Sequence, residues 1–294
     1  MTRAIVGALV PQLDNAELSR HMRLQPGSLA AHELAVRALA EAREGHRKTD
    51  SALCDAAIET ADKALALDPR SCTAWAARCF ALFQHVHYGR AKDAERTRSE
   101  ALLAGTRAIE VDPLNHVAWT IRGLHQCNTG RFAAGLQDLL RAHALNPNAA
   151  QTLCTLGYFQ ALDGDAASGI DKIRSAIRLS PKDVAHAAMH KDLALACVMG
   201  RRYADGIEPA LVATNEAPSM APAHATLALV YVGLGDIAKA RQTIDKLRQI
   251  APSHLDMRLQ KGWPCRREDD ARRLLTFIRV AAGLEDSGVA EALR

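Results

Sequence analysis

Two histidines, His186 and His190, stand four residues apart, a spacing that puts two imidazoles on one helix face where they could ligate a metal, with Asp183 or Asp192 nearby in sequence. No Glu follows His186, so the two-histidine zinc-protease pattern is absent. His85 and His87 alternate in a way that would chelate from an extended loop, but no third ligand stands close by. Gly200 to Gly206 carries Arg201 and Arg202 ahead of a helix, as an anion site would, and reads better as a turn between two helices. A chain with 12 histidines gives such pairs by chance, so packed or solvated histidines are the expectation. There is no Gly-rich phosphate loop, no Gly-x-Ser-x-Gly elbow and no cysteine with a diagnostic histidine motif. The expectation is a non-enzyme with no catalytic residues, no metal and no cofactor.

The seven cysteines contain no Cys-x-x-Cys pair, and Cys79, Cys127, Cys154 and Cys197 fall in apolar helical stretches. They read as small core residues in a reducing compartment. Lys and Arg number 37 against 33 for Asp and Glu, and the densest basic stretches, 90–98 and 266–273, interleave acids. That pattern describes solvated helix faces and argues against a nucleic-acid partner. The start of the chain, Met1 to Pro11, is too short in apolar residues and too poor in basic ones for a signal peptide. No window reaches the roughly eighteen apolar residues that span a bilayer, so no membrane association and a cytoplasmic location are expected.

Hydrophobic residues make up 48% of the chain and aromatics only 4%, a composition suited to close-packed helices. The prolines expose a repeat. Asp68-Pro69, Asp112-Pro113, Asn146-Pro147, Ser180-Pro181, Ala217-Pro218 and Ala251-Pro252 are spaced by 44, 34, 34, 37 and 34 residues. A proline disfavours helix in the residue before it, and a short polar side chain there can satisfy exposed backbone groups, so each pair closes a helix. Six residues beyond the proline come Trp75, Trp119, Leu153 and His224; ten beyond come Cys79, Gly123, Gly157 and Ala228. Gly130, Gly164 and Gly235 then mark a chain reversal, and Ala101, Gly135, Gly169, Gly206 and Ala240 supply small residues where two helices can approach. Ala64, Ala108, Ala142, Ala176, Ala213 and Leu247 stand five residues before each closing proline.

This order of Trp, small pair, turn glycine, Ala and terminal Pro resembles the tetratricopeptide repeat (TPR), a helix-turn-helix unit of about 34 residues. The resemblance implies an all-α, right-handed TPR superhelix of about six units, 29–69, 70–113, 114–147, 148–181, 182–218 and 219–252. An N-terminal helical segment, 1–28, precedes them, and capping helices and a tail occupy 253–294. The ten extra residues of the second unit are expected in a protruding loop near His85 to Gly89, and the three of the fifth in an extra helical turn before Gly200. Helices are expected over Asp256 to Lys261 and Asp269 to Ala282, the latter with Leu274, Leu275, Ile278 and Ala281 inside and Arg272, Arg273, Thr276 and Arg279 largely outside. The entry Ala16-Glu17 to Arg20, the lengthened first units and the close from Asp269 to Leu284 resemble the repeat half of bacterial class III adenylate cyclases and winged-helix regulators. In that group a cyclase or DNA-reading domain precedes the repeats, and the 28 residues ahead of them here are expected to hold neither.

In such arrays the first helix of each unit lines the concave wall, which makes Phe80 and Phe83, then Val117, Thr120, Leu124 and Cys127, then Gln151, Cys154, Tyr158 and Leu162, with Lys191, Leu229 and Val232, the expected partner-binding groove. The wall is mainly apolar, and of the Lys, Arg and Asn by which related repeats dock acidic chaperone tails it offers only Lys191 and Asn128. The expected function is a protein-interaction scaffold whose partner is an amphipathic helix or apolar segment. That partner could be an effector domain encoded separately, which would make the chain the regulatory arm of a split cyclase or transcriptional regulator. The alternatives are a groove filled by the chain's own N-terminal helix, and a helical repeat that binds nucleic acid.

Overall fold

The computed structural model describes residues 29–294, and over them the chain is all-α, with fifteen helices joined by short turns and no strand. Expectations that fall on residues 1–28, including a groove filled by the N-terminal segment, lie outside the described residues. Six antiparallel pairs follow one another: α1 (Leu29–Lys48) with α2 (Ser51–Leu67), α3 (Cys72–His87) with α4 (Ala94–Val111), α5 (His116–Asn128) with α6 (Phe132–Leu145), α7 (Ala150–Asp163) with α8 (Ala166–Leu179), α9 (His186–Met199) with α10 (Tyr203–Glu216), and α11 (Ala221–Leu234) with α12 (Ile237–Ile250). Then come α13 (Pro252–Lys261), α14 (Glu268–Ala281) and the short α15 (Ser287–Glu291). Each helix packs on its pair partner and on the next unit, as in a right-handed TPR-type superhelix.

Each recurring residue has a mechanical task. The backbone N–H before every closing proline is bonded to the carbonyl four residues back, on Ala64, Ala108, Ala142, Ala176, Ala213 and Leu247, all of them fully buried. Asp68, Asp112 and Asn146 then turn their side-chain oxygens to the N–H two residues on, at 2.9, 3.0 and 3.2 Å. Six residues past the proline, the Trp75, Trp119 and His224 rings each donate to that proline's carbonyl at 2.9 Å. The next helix therefore starts already tied to the turn. Asp50, Ser71, Asp93, Asn115, Asp165 and Asp236 cap helix N-termini with their side chains.

Small residues set the distance between paired helices. A Cβ on Gly157 would stand 2.7 Å from the Gly169 carbonyl oxygen, and one on Gly123 would stand 2.9 Å from that of Gly135. The reversals at Gly130, Gly164 and Gly235 need left-handed φ of 84°, 108° and 86°. In the fifth unit Arg201, not Gly200, takes that conformation, with φ 56°.

Two expectations about the irregular units and one about the capping helix are corrected. The second unit has no protruding loop at His85: α3 continues through His85 and His87, Tyr88 is fully buried, and most of the added residues lengthen α3 and α4 to 16 and 18 residues against 13 and 14 in α5 and α6, the rest lengthening the connection 88–93. The fifth unit gains no helical turn, since α9 has 14 residues like α7; the insertion widens the linker at 180–185. On α14, Arg273 and Thr276 point inward, at 1% and 8% exposure. Arg273 earns its place by donating to the Val198 and Met199 carbonyls, the Tyr203 hydroxyl and the Asp270 carboxylate. The α14 helix covers α11 and α12, the last unit of the array.

Candidate partner-binding wall and its internal occupant

The first helices of units two to six present the expected groove residues, and the structure divides them into two sets. Phe83, Cys127, Cys154, Tyr158, Leu162, Lys191, Leu229 and Val232 are buried. Phe80, Val117, Thr120, Leu124 and Gln151 are partly exposed. The open set forms a strip across α3, α5 and α7, where the Thr120 hydroxyl meets that of Thr152 at 2.8 Å and the Gln151 amide donates to Asp183 at 3.1 Å.

The covered end of the wall meets residues 252–294, which return along the C-terminal ends of those first helices. His254 lies against the His87 and Tyr88 rings, with centroids 5.8 and 5.7 Å away. Gly89, at φ 69°, has no room for a side chain because the Ser253 carbonyl and Met257 crowd it. Farther on, the Arg266 N–H donates to the Leu162 carbonyl at 3.1 Å and its guanidinium pairs with Asp163. Arg273 caps α9, and Arg294 donates to the Val232 carbonyl at the end of α11. Helix C-termini leave carbonyls without partners and carry partial negative charge, which is why arginines serve here. Trp263 joins the apolar cluster of Tyr158, Leu162 and Leu229.

Polar groups at this contact are held in specific states. Lys191 is buried beside Asp192, with its ammonium 4.9 Å from the Tyr158 ring. Burial works against its charge, but Asp192 outweighs that and raises its pKa. Burial depresses the His46 imidazole to about 3 and holds His87 and His254 well below the usual histidine range, with Arg258 opposing protonation of both. Cys154 and Cys79 are pushed up by burial, the latter to about 12, so neither is a thiolate nucleophile at neutral pH.

The metal candidates are used structurally. The His186 and His190 rings approach each other at 3.2 Å, and His186 pairs with Glu216. Among the described residues no three His, Cys, Asp or Glu side chains converge to hold a metal ion. Arg202 pairs with Asp205, and Arg201 donates to the Leu293 carbonyl, so that turn serves the chain itself. The sequence pattern gives no role to His254, Arg258 or Trp263, and it sets Arg273 on the outer face of its helix, where the structure buries it.

The repeat geometry and the first-helix wall define a tetratricopeptide-type solenoid. A monomeric mutant of IFIT1 with Gppp-AAAA is similar over 70% of this chain and 48% of its own, at 17% identity and a TM-score of 0.58. The APC/C hetero-tetramer Cut9-Hcn1 is similar over 88% of this chain and 51% of the matched one, at 17% identity and a TM-score of 0.58. A human IFIT1 dimer with PPP-AAAA is similar over 83% of this chain and 67% of its own, at 15% identity and a TM-score of 0.56. The chain thus spans about half the length of the first two, and identities this low define the fold alone. No protein-family model matches the chain, and no curated protein matches it by sequence. No described helix is long and apolar enough to cross a membrane.

Proposed function

We propose that the chain is a non-catalytic protein-interaction scaffold whose concave wall receives an amphipathic helix or apolar segment of another protein. The observation that carries this reading is α13. It is itself an amphipathic helix, with His254, Leu255 and Arg258 buried and Pro252, Asp256, Gln260 and Lys261 exposed, and it lies against the end of that wall. The wall continues from it into the partly open strip of Phe80, Val117, Thr120, Leu124 and Gln151, which is mainly apolar and offers no cluster of basic groups for an acidic tail. Cut9, of the same fold, was solved assembled with Hcn1, which supports protein association as a use of this architecture. A separately encoded effector domain is the partner suggested by the resemblance to repeat halves of cyclases and winged-helix regulators.

Photo-crosslinking locates the contact. A photoreactive residue at Thr120 or Leu124 is expected to trap a protein partner, while one at the convex, exposed Leu140 is not, and Leu124→Asp is expected to abolish the adduct without changing the fold. Adducts formed from Leu140 and not from the strip would refute the groove reading. Salt-dependent retardation of RNA or DNA would favour the nucleic-acid alternative.

A further inference from the structure

The seam between the end of α3 and the start of α13 gathers nitrogen donors without acceptors to match them. Arg258 is 4% exposed. Its Nη1 donates to the Gly262 carbonyl at 2.8 Å, its Nη2 faces His87 Nε2 at 3.5 Å, and the guanidinium lies over the Trp263 ring at 4.7 Å. Its Nε has no partner. Arg90 is anchored through Nη2 to the Thr49 carbonyl at 2.8 Å and sits 5.6 Å from the Tyr88 ring, leaving Nη1 buried and unpartnered. His254 is fully buried, its ring directed to the His87 backbone carbonyl without reaching full hydrogen-bond geometry. The charges of Arg258, Lys191 and Arg90 all bear on this ring.

The charge balance is as uneven as the hydrogen bonding. Lys191 is neutralised by Asp192. The acidic groups that bear on Arg258 are the Tyr158 and Tyr88 phenols and the Cys265 thiol, none of them a carboxylate. Burial raises all three, so all are neutral at pH 7. A buried guanidinium without a counter-charge costs several kcal/mol. Water could accept a stray N–H but would not balance the charge, whereas an oxyanion does both and suits the planar guanidinium fork.

We propose that this seam binds an oxyanion, the carboxylate or phosphate group of a small molecule, between Arg90 Nη1 and Arg258 Nε, beside the His254 ring. The ligand ties α13 to the second unit and is independent of the partner reading, since the open strip lies elsewhere on the wall.

Calorimetric titration of the full chain with sodium phosphate, and separately with sodium acetate, at ionic strength fixed with chloride, tests this. One site per chain is expected, for phosphate if the group is tetrahedral and for acetate if it is planar. Arg258→Gln is expected to abolish binding. Arg90→Gln, at a half-exposed position and the variant of choice should Arg258→Gln fail to fold, is expected to weaken it about tenfold or more. An anion retained through purification, seen as added mass in native mass spectrometry and lost in Arg90→Gln, equally supports the proposal. It is overturned if purified wild-type chain carries no anion and binds neither probe up to about 10 mM, or if Arg90→Gln binds as tightly as wild type.

Discussion

The hydroxyl of Thr49 accepts a hydrogen bond from the backbone N–H of Ala221 at 2.9 Å, across 172 positions of sequence. Ala221 opens α11 and belongs to the unpartnered donors of a helix start. Met220 ahead of it makes no side-chain cap, so the turn of the first unit caps a helix of the sixth. Thr49 meets this demand in a left-handed conformation, φ 55°, that threonine seldom adopts. The superhelix therefore brings its first and last units into contact.

Thr49→Val keeps the shape and removes the acceptor. Because Thr49 is 6% exposed, the Ala221 N–H is left buried and unsatisfied, and a loss of about 1–3 kcal/mol is expected. Urea unfolding measures the loss, and hydrogen exchange at Ala221 should accelerate first.

Asp138, 5% exposed, receives Arg122 Nε and Nη2 at 2.7 and 2.8 Å and the Gln126 amide at 2.8 Å, locking α5 to α6. Asp138→Ala strands a guanidinium and is expected to cost about 3–5 kcal/mol, with Asp138→Asn costing less. Chemical denaturation that moved by under about 1 kcal/mol would show that the pair contributes no more than an exposed one.

In Gly157→Ala the new methyl would meet backbone, the Gly169 oxygen at 2.7 Å, with Ile173 at 3.0 Å. No side-chain rotation relieves that contact, so α7 and α8 must separate. A cost of about 1–3 kcal/mol is expected, read as a fall in Tm of about 2–4 °C per kcal/mol for a chain of this size.

Acid should weaken the fold through histidine. His125, 2% exposed and bonded to the Arg98 carbonyl at 2.9 Å, is pushed down to about 4 by burial, against about 6.5 when unfolded. As pH falls, the unfolded chain takes up this proton first, so the stability present above pH 6.5 is lost progressively toward pH 4. Between pH 6.5 and 5 the expected loss from this residue is about 2 kcal/mol. His46, His87 and His254 are shifted the same way and add to it. Urea midpoints at pH 7.5 and 5.0 should differ less in His125→Gln than in wild type.

The repeats were legible because each task falls to a residue type at a fixed offset from a proline: Ala64 and its equivalents accept the closing N–H, Trp75 and Trp119 tie helix to turn, Gly157 and Gly169 admit close backbones. Those are local demands, and local sequence answers them. The path of residues 252–294 was not legible, since Arg273 and Val198 are 75 positions apart and helical periodicity assigns a charged residue to solvent by default. The same limit hid the division of the wall. Tyr158 and Leu124 hold the same place in the repeat register, each eleven residues past its proline, yet Tyr158 is buried among groups that include Trp263 while Leu124 stays partly open.

The return of residues 266–294 along α7, α9 and α11 also orders events in time. A chain made from its N-terminus can pair and stack these helices as they emerge. Their carbonyl ends nevertheless stay bare until the arginines that serve them, Arg266, Arg273 and Arg294, have been synthesised. The partly made protein is thus a stack still open along one side, and residues 266–294, which emerge later, seal it.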